Sequence, residues 1–192
     1  MSRASILTAI TNNKPSLVDL PIIDINAVIQ YDDVVAQFKA VLESIGGLAI
    51  ELNNMQELES EVQAEKAKGH YIINTLPELG EVDKDLATQV VATLETVHKA
   101  YLRGAIAVAE NGAVWLYEHQ MVNRLSPFIC QHLVLVVEKR NIVATMHQAY
   151  QHIDAGKEGF GVFIAGPSKT ADIEQSLVIG AHGARSLVVY LV

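Results

Sequence analysis

Cysteine is almost absent from this 192-residue chain, in which Cys130 is the only one. A single thiol excludes an intrachain disulfide and the set of four thiolates that normally holds an iron–sulfur cluster. Basic residues are also few: Lys and Arg total 14 against 22 Asp and Glu, for a net charge of −8. Binding to a nucleic acid backbone requires clustered cations, so the composition argues against a DNA or RNA partner.

Long apolar runs are missing as well. No segment reaches the ~18 uncharged residues of a membrane-spanning helix, and the first residues lack the basic flank, apolar core and cleavage site of a secretory signal. We therefore expect a cytoplasmic protein without a membrane partner. The hydrophobic content of 50% and the length of the chain favour one globular domain. No Walker loop or complete dinucleotide glycine fingerprint is present.

Helical and strand patterns alternate along the chain, which favours an α/β fold with a mostly parallel sheet. Apolar residues at helical spacing predict an amphipathic N-terminal helix within residues 1–15 and further helices at 34–45, 56–68, 87–101 and 143–153. We expect residues 16–192 to form the single domain. Short apolar runs predict strands at 48–52, 71–73, 133–137, 160–164 and 187–192. We expect the last two to be buried strands of a parallel sheet, with a ligand-binding loop at the carboxyl end of the first.

An Asn-Gly pair at Asn111 and Gly112 stands between two apolar runs. Both residues tolerate positive φ, so the pair predicts a β-hairpin with a two-residue turn. The preceding Glu110 has two interpretations. A partly buried carboxylate can act as a general base or as a nucleophile that forms acyl intermediates, whereas hairpin turns also accept ordinary solvated carboxylates.

A polar loop follows the strand predicted at 160–164. Gly166 permits close approach to the backbone, and Ser168 and Thr170 offer hydroxyls beside a predicted helix start, so the loop could bind an anion. The same residues, followed by Asp172, also suit a plain helix cap.

Further along the chain, His182 and Gly183 form a turn from which the imidazole can either bind a ligand or fix the turn by bonding a carbonyl. His132 opens a strand and is expected to be structural. His147 and His152 are five residues apart, which is not the i, i+4 spacing of a helical zinc motif, so no metal site is indicated.

Taken together, these segments resemble the LUD domain family, and within it the stand-alone lactate utilization protein C group (LutC). The similarity is clearest over 104–192. It rests on the Ala-Glu-Asn-Gly turn at 109–112, on Pro127 followed by His132 and an apolar strand, on the Gly-Pro-Ser and Thr-Ala-Asp-Ile-Glu segments at 166–168 and 170–174, and on the closing Gly-x-His-Gly at 180–183. The order of these segments along the chain supports the resemblance.

The resemblance implies the α/β fold of the NagB/RpiA/CoA transferase-like proteins, with a mostly parallel sheet flanked by helices and a β-hairpin at the site. It also implies a component of an L-lactate utilization system that oxidises L-lactate to pyruvate with iron–sulfur partner proteins of the LutA and LutB kind. In that system the clusters belong to the partners, and this chain binds no cofactor. The implied pocket takes a small anionic ligand through Asn111, Gly112, Gly166, Ser168, Thr170, Asp172, His182 and Gly183.

The family's turn usually has Thr where this chain has Asn111, and this departure opens an alternative. Glu110-Asn111-Gly112 is similar to the Glu-Asn-Gly turn of CoA transferases, whose glutamate forms a thioester with CoA. Under that resemblance Glu110 would be the catalytic nucleophile of a stand-alone enzyme acting on a CoA thioester or a phosphorylated sugar. A regulatory module that binds a small anion without turnover is the third hypothesis.

Overall fold

Two β-sheets share one hydrophobic core in this protein. The computed structural model describes residues 2–19, 21–25, 27–84, 91–154, 156, 159–171 and 177–192, and only the backbone at 91, 170, 171 and 177. The helices are α1 (Arg3–Asn12), α2 (Val34–Ser44), α3 (Met55–Ala67), α4 (Val91–Leu94), α5 (Glu118–Met121), α6 (Ser126–Ile129) and α7 (Met146–His152). The strands are β1 (Leu48–Glu51), β2 (Tyr71–Asn74), β3 (Val97–Arg103), β4 (Ile106–Val108), β5 (Ala113–Tyr117), β6 (His132–Val137), β7 (Ile142–Val143), β8 (Gly161–Ala165), β9 (Lys169–Ala171), β10 (Leu177–Ile179) and β11 (Ser186–Leu191).

The larger sheet has five strands in the order β1-β11-β6-β3-β2, and every neighbouring pair is parallel. Its central strand β6 is buried from Leu133 to Val137, as expected of a strand with both faces covered. One face packs on the second sheet and α2, and the other packs on α3. The expectation of an α/β fold with a mostly parallel sheet and flanking helices is confirmed.

The smaller sheet has the order β7-β4-β5-β8 and contains the predicted hairpin. β4 and β5 pair antiparallel, with Val108 opposite Ala113, so the turn has four residues rather than the two expected. The strand predicted at 160–164 exists as β8, but its placement was wrong: it pairs antiparallel with β5 and is only partly buried. A short run of apolar residues does not encode which sheet a strand will join, because this depends on distant partners.

A second correction concerns residues 87–101, for which the spacing predicts one helix. Residues 85–90 lie outside the described part of the chain, α4 is limited to Val91–Leu94, and Val97 already begins β3. β3 lies between β6 and β2, so its backbone is paired on both sides. These two ladders, together with burial of Tyr101 and Leu102, override the helical spacing of the apolar residues.

Local signals place α2 and α3 as expected, whereas the helix predicted at 143–153 is limited to Met146–His152 and Val143 belongs to β7. Asp33 precedes α2, and its carboxylate accepts hydrogen bonds from the amides of Val35 and Ala36 at 3.0 and 2.9 Å. Asn54 caps α3 in the same manner. The N-terminal helix α1 has no buried residue, and the division into residues 1–15 and 16–192 stays a prediction. Among the described residues, no helix is both long enough and apolar enough to cross a membrane.

Candidate functional site

A cavity of about 290 Å³ lies where the loop after β8 meets the loop before β11. One wall is apolar and includes Phe128, Leu133 and Phe163. The polar residues that line the cavity include Ser168, Lys169 and the exposed His182. The cavity adjoins the carboxyl end of β8, where the ligand loop was expected, and the amino-terminal ends of β6 and β11. β8 is antiparallel to its neighbour β5, so the cavity does not lie at the carboxyl end of a parallel strand as expected.

Backbone hydrogen bonds hold the two loops together. The amide of Ser168 donates to the carbonyl of Ala184 at 2.8 Å, and the amide of Gly180 donates to the carbonyl of Ser168 at 3.0 Å. A Cβ at Gly183 would lie 3.1 Å from the Cβ of Ser168. Glycine at position 183 therefore allows the loops to approach closely, which brings Ser168 beside the turn that contains His182.

Gly166 is buried in the first loop, with φ at +71°, against the end of α2. A Cβ there would come within 2.9 Å of the carbonyl oxygen of Ile45, so this position requires glycine for conformation and for space. The ammonium of Lys169 donates a hydrogen bond to the same carbonyl. Lys169 is thereby tied to the end of α2 while it lines the cavity.

Four of the predicted site residues line this cavity: Gly166, Ser168, His182 and Gly183. Of the other two residues predicted in these loops, Thr170 has only its backbone described, and Asp172 lies outside the described residues. Residues 169–171 form the strand β9, which pairs with β10, so the helix start predicted beside Ser168 and Thr170 is wrong at these residues. Lys169 also lines the cavity but was not predicted as a site residue. Its only signal in the sequence was its place between Ser168 and Thr170.

The hairpin turn lies outside the lining of the cavity. Gly112 packs against Ile45, as Gly166 does, so α2 contacts both segments. Asn111 is exposed, and its side-chain oxygen accepts a hydrogen bond from the amide of Ala113 at 3.0 Å. The carboxylate of Glu110 accepts a hydrogen bond from the amide of Met146, the first residue of α7, at 2.6 Å. A structural role is sufficient to explain this contact, and the catalytic role of Glu110 stays a prediction.

The chemistry of the cavity suits a small anion with a short carbon skeleton. Lysine, serine and histidine side chains can each donate a hydrogen bond to a carboxylate or phosphate oxygen. No carboxylate side chain is among the described residues that line the cavity. The apolar wall can cover a small hydrocarbon group.

Comparison with known proteins identifies the family. The LUD domain matches residues 84–192, more than half of the chain. The chain belongs to the LUD domain family. The match includes the hairpin turn and both loops of the cavity, so the candidate site lies within the LUD domain.

Curated LUD relatives share the name lactate utilization protein C. The protein from Bacillus pumilus (strain SAFR-032) is 35% identical over 91 residues, which cover 44% of this chain and 38% of that protein. The protein from Shouchella clausii (strain KSM-K16) is 37% identical over 83 residues, covering 41% of this chain and 36% of that protein. The protein from Geobacillus thermodenitrificans (strain NG80-2) is 32% identical over 107 residues, covering 53% of this chain and 45% of that protein. The matched part thus spans less than half the length of these relatives.

A solved structure shows the same fold. The crystal structure of a DUF162 family protein from Deinococcus radiodurans superposes with a TM-score of 0.64 at 17% sequence identity. The superposition covers 85% of this chain and 99% of that one. At this level of identity the comparison concerns the architecture alone.

Proposed function

We propose that this LUD-family chain is a cytoplasmic component of an L-lactate utilization system, in which it binds a small carboxylate in the cavity between its two loops. The single observation behind this proposal is that Ser168, Lys169 and His182 converge on one cavity beside an apolar wall. L-Lactate and pyruvate both combine a carboxylate with a methyl group, and this combination matches a cavity lined by polar, basic and apolar residues.

The relatives support the choice of pathway. The similar proteins from three genera have the name lactate utilization protein C, and the LUD domain match at residues 84–192 includes both loops of the cavity. Oxidation of lactate to pyruvate releases two electrons and needs an acceptor. One cysteine in the chain cannot supply a cluster of four thiolates, so in this proposal iron–sulfur proteins of the LutA and LutB kind receive the electrons.

A ligand-binding experiment tests the cavity. L-Lactate, pyruvate, CoA and sugar phosphates are each titrated against the purified chain while the melting temperature is followed, because a ligand that binds only the folded state raises it. We expect a rise with L-lactate or pyruvate that is lost in Ser168→Ala and His182→Ala. His152→Ala, which alters an exposed histidine of α7, should retain the rise. A shift with CoA or sugar phosphates alone would contradict the proposal and favour the transferase or isomerase alternative.

A second experiment tests the partners. The tagged chain is purified gently from its host grown on L-lactate, and co-purifying proteins are identified by mass spectrometry. Recovery of iron–sulfur proteins together with lactate-oxidising activity is the expected result. A chain that is reproducibly solitary, in a host whose growth on lactate survives deletion of the gene, would overturn the assignment to a lactate system.

A further inference from the structure

A carboxylate and two imidazoles meet near the amino-terminal end of the five-stranded sheet, and none of them lines the cavity described above. Glu65 lies near the end of α3, His70 lies just before β2, and His98 is the second residue of β3. Oε2 of Glu65 is 2.6 Å from Nδ1 of His70 and 3.7 Å from Nε2 of His98. One ligand atom from each of the three residues lies within 4.8 Å of the others.

An irregularity in the sheet places His98 in this cluster. Tyr71 pairs with Val97, but the next residue, Ile72, pairs with Lys99, so His98 is the extra residue of a β-bulge. A bulge redirects a side chain and interrupts pairing, and such irregularities are frequent next to functional sites. The imidazole of His98 is stacked on that of His70, with ring centroids 3.9 Å apart.

The carboxylate of Glu65 has one oxygen, Oε2, beside the imidazoles of His70 and His98. The ammonium of Lys68 occupies the other oxygen, Oε1 of Glu65, at 2.9 Å. His132 is the next imidazole in the row, and its ring centroid lies 5.0 Å from that of His98. Its Nδ1 is bonded to the hydroxyl of Ser186 at 2.8 Å, which fixes the orientation of that ring.

The distances suit a metal ion. Ligand atoms 2.0–2.1 Å from a tetrahedral zinc ion are about 3.3 Å apart, and the separations of 2.6 and 3.7 Å from Oε2 of Glu65 lie on either side of that value. Two imidazoles and one carboxylate suit Zn²⁺ better than Mg²⁺ or Ca²⁺, which prefer oxygen ligands, or Cu⁺, which prefers sulfur. Both rings are about one-third exposed, at 37% and 31%, so an ion can reach the site from solvent.

We propose that Glu65, His70 and His98 form a binding site for one divalent transition-metal ion of the Zn²⁺ class. The ion would link the last turn of α3, the residue before β2 and the start of β3 at the end of the sheet. Three protein ligands leave a fourth coordination position for water or a small molecule.

The test uses the full chain without a polyhistidine tag, stripped with chelator and titrated with Zn²⁺ by calorimetry. We expect one ion per chain. Co²⁺ should then give the visible absorption of a four- or five-coordinate complex, and Zn²⁺ should displace it. His70→Ala and His98→Gln should each weaken Zn²⁺ binding at least tenfold, and Glu65→Gln should do the same by removing the negative charge.

His147→Ala is the matched control, because His147 is exposed on α7 and does not belong to the cluster. It should bind Zn²⁺ with unchanged affinity. Circular dichroism of each metal-free variant establishes whether it is folded. If a histidine variant is unfolded, the Zn²⁺ affinity of the folded Glu65→Gln variant tests the proposal instead. Absence of saturable binding, or an affinity that the folded Glu65→Gln, His70→Ala and His98→Gln variants all retain, would overturn the proposal.

Discussion

The carboxylate of Glu110 accepts a hydrogen bond from the backbone amide of Met146 over 2.6 Å. The contact joins the turn of the β4–β5 hairpin to the first residue of α7. A negative charge near a helix N-terminus is stabilised by the unpaired amides there. The backbone adds a second link, because the amide of Glu110 donates to the carbonyl of Ala144 at 3.0 Å.

Removal of the Glu110 carboxylate should therefore destabilise the fold. We expect Glu110→Ala to lower the free energy of unfolding by about 0.5–2 kcal/mol, the usual cost of removing a helix cap. Glu110→Gln should cost less, because its amide oxygen can still accept the bond. Urea denaturation of both variants measures the difference.

The same pair of variants tests the transferase hypothesis. A glutamate nucleophile would form a covalent thioester when the chain is incubated with an acyl-CoA, and mass spectrometry would detect the adduct. We expect no adduct on Glu110 in the wild-type chain. An adduct that Glu110→Gln abolishes would show that the stand-alone enzyme hypothesis is correct.

Tyr101 and Tyr190 offer a matched comparison, because both donate hydrogen bonds to the carboxylate of Glu61, at 2.9 and 3.1 Å. Burial of Glu61 raises its pKa, but the bonds from Lys99 and Tyr101 outweigh burial and hold the pKa below its ordinary value. Tyr101 is fully buried, whereas Tyr190 is partly exposed. We expect Tyr101→Phe to cost about 1.5–3 kcal/mol, as for a hydrogen bond to a charged group, and Tyr190→Phe to cost less. Urea denaturation measures the free energy of unfolding of both variants. Equal decreases would show that burial of the tyrosine does not strengthen its hydrogen bond to Glu61.

Acid should weaken the contacts of Glu51. Its carboxylate is bonded by Lys39 and Lys139 at 2.9 and 3.0 Å, and these lysines lower its pKa from 4.5 to about 2. Because the folded-state pKa is depressed, the stabilisation is present above the ordinary pKa and is lost as the pH falls towards 2. The free energy of unfolding of Glu51→Gln should therefore depend less on pH between 4.5 and about 2 than that of the wild-type chain. Urea midpoints at several pH values and two salt concentrations measure this, since salt screens exposed pairs.

The thiol of Cys130 should be inert while the chain is folded. Its side chain is 1% exposed, and burial raises its pKa to about 12, so almost no thiolate exists at neutral pH. A thiol-specific disulfide reagent should react only after denaturant is added, at the same midpoint as circular dichroism. Rapid labelling under native conditions would show that α6 opens locally.

Sequence patterns located many of the elements because their causes are local. Asp33 caps α2, and the apolar spacing that follows identifies the face that packs on the core. The Asn-Gly pair at 111–112 and the apolar runs beside it were sufficient to predict the hairpin, although the pairing of Val108 with Ala113 makes the turn two residues longer than expected. Gly166, Ser168, His182 and Gly183 were predicted as site residues because their motifs resemble those of the LUD domain, and all four line one cavity.

By itself, therefore, the sequence determined the α/β class, the starts of α2 and α3 and the two loops of the candidate site, since these depend on neighbouring residues. Only the tertiary structure decided that β3 is a strand, that β8 runs antiparallel in the second sheet, and that the cavity lies at the amino-terminal ends of β6 and β11. The same is true of the cluster of Glu65, His70 and His98, whose members come from α3, the connection between α3 and β2, and β3. Strand pairing and side-chain clusters of this kind depend on contacts between distant residues, which no local pattern records.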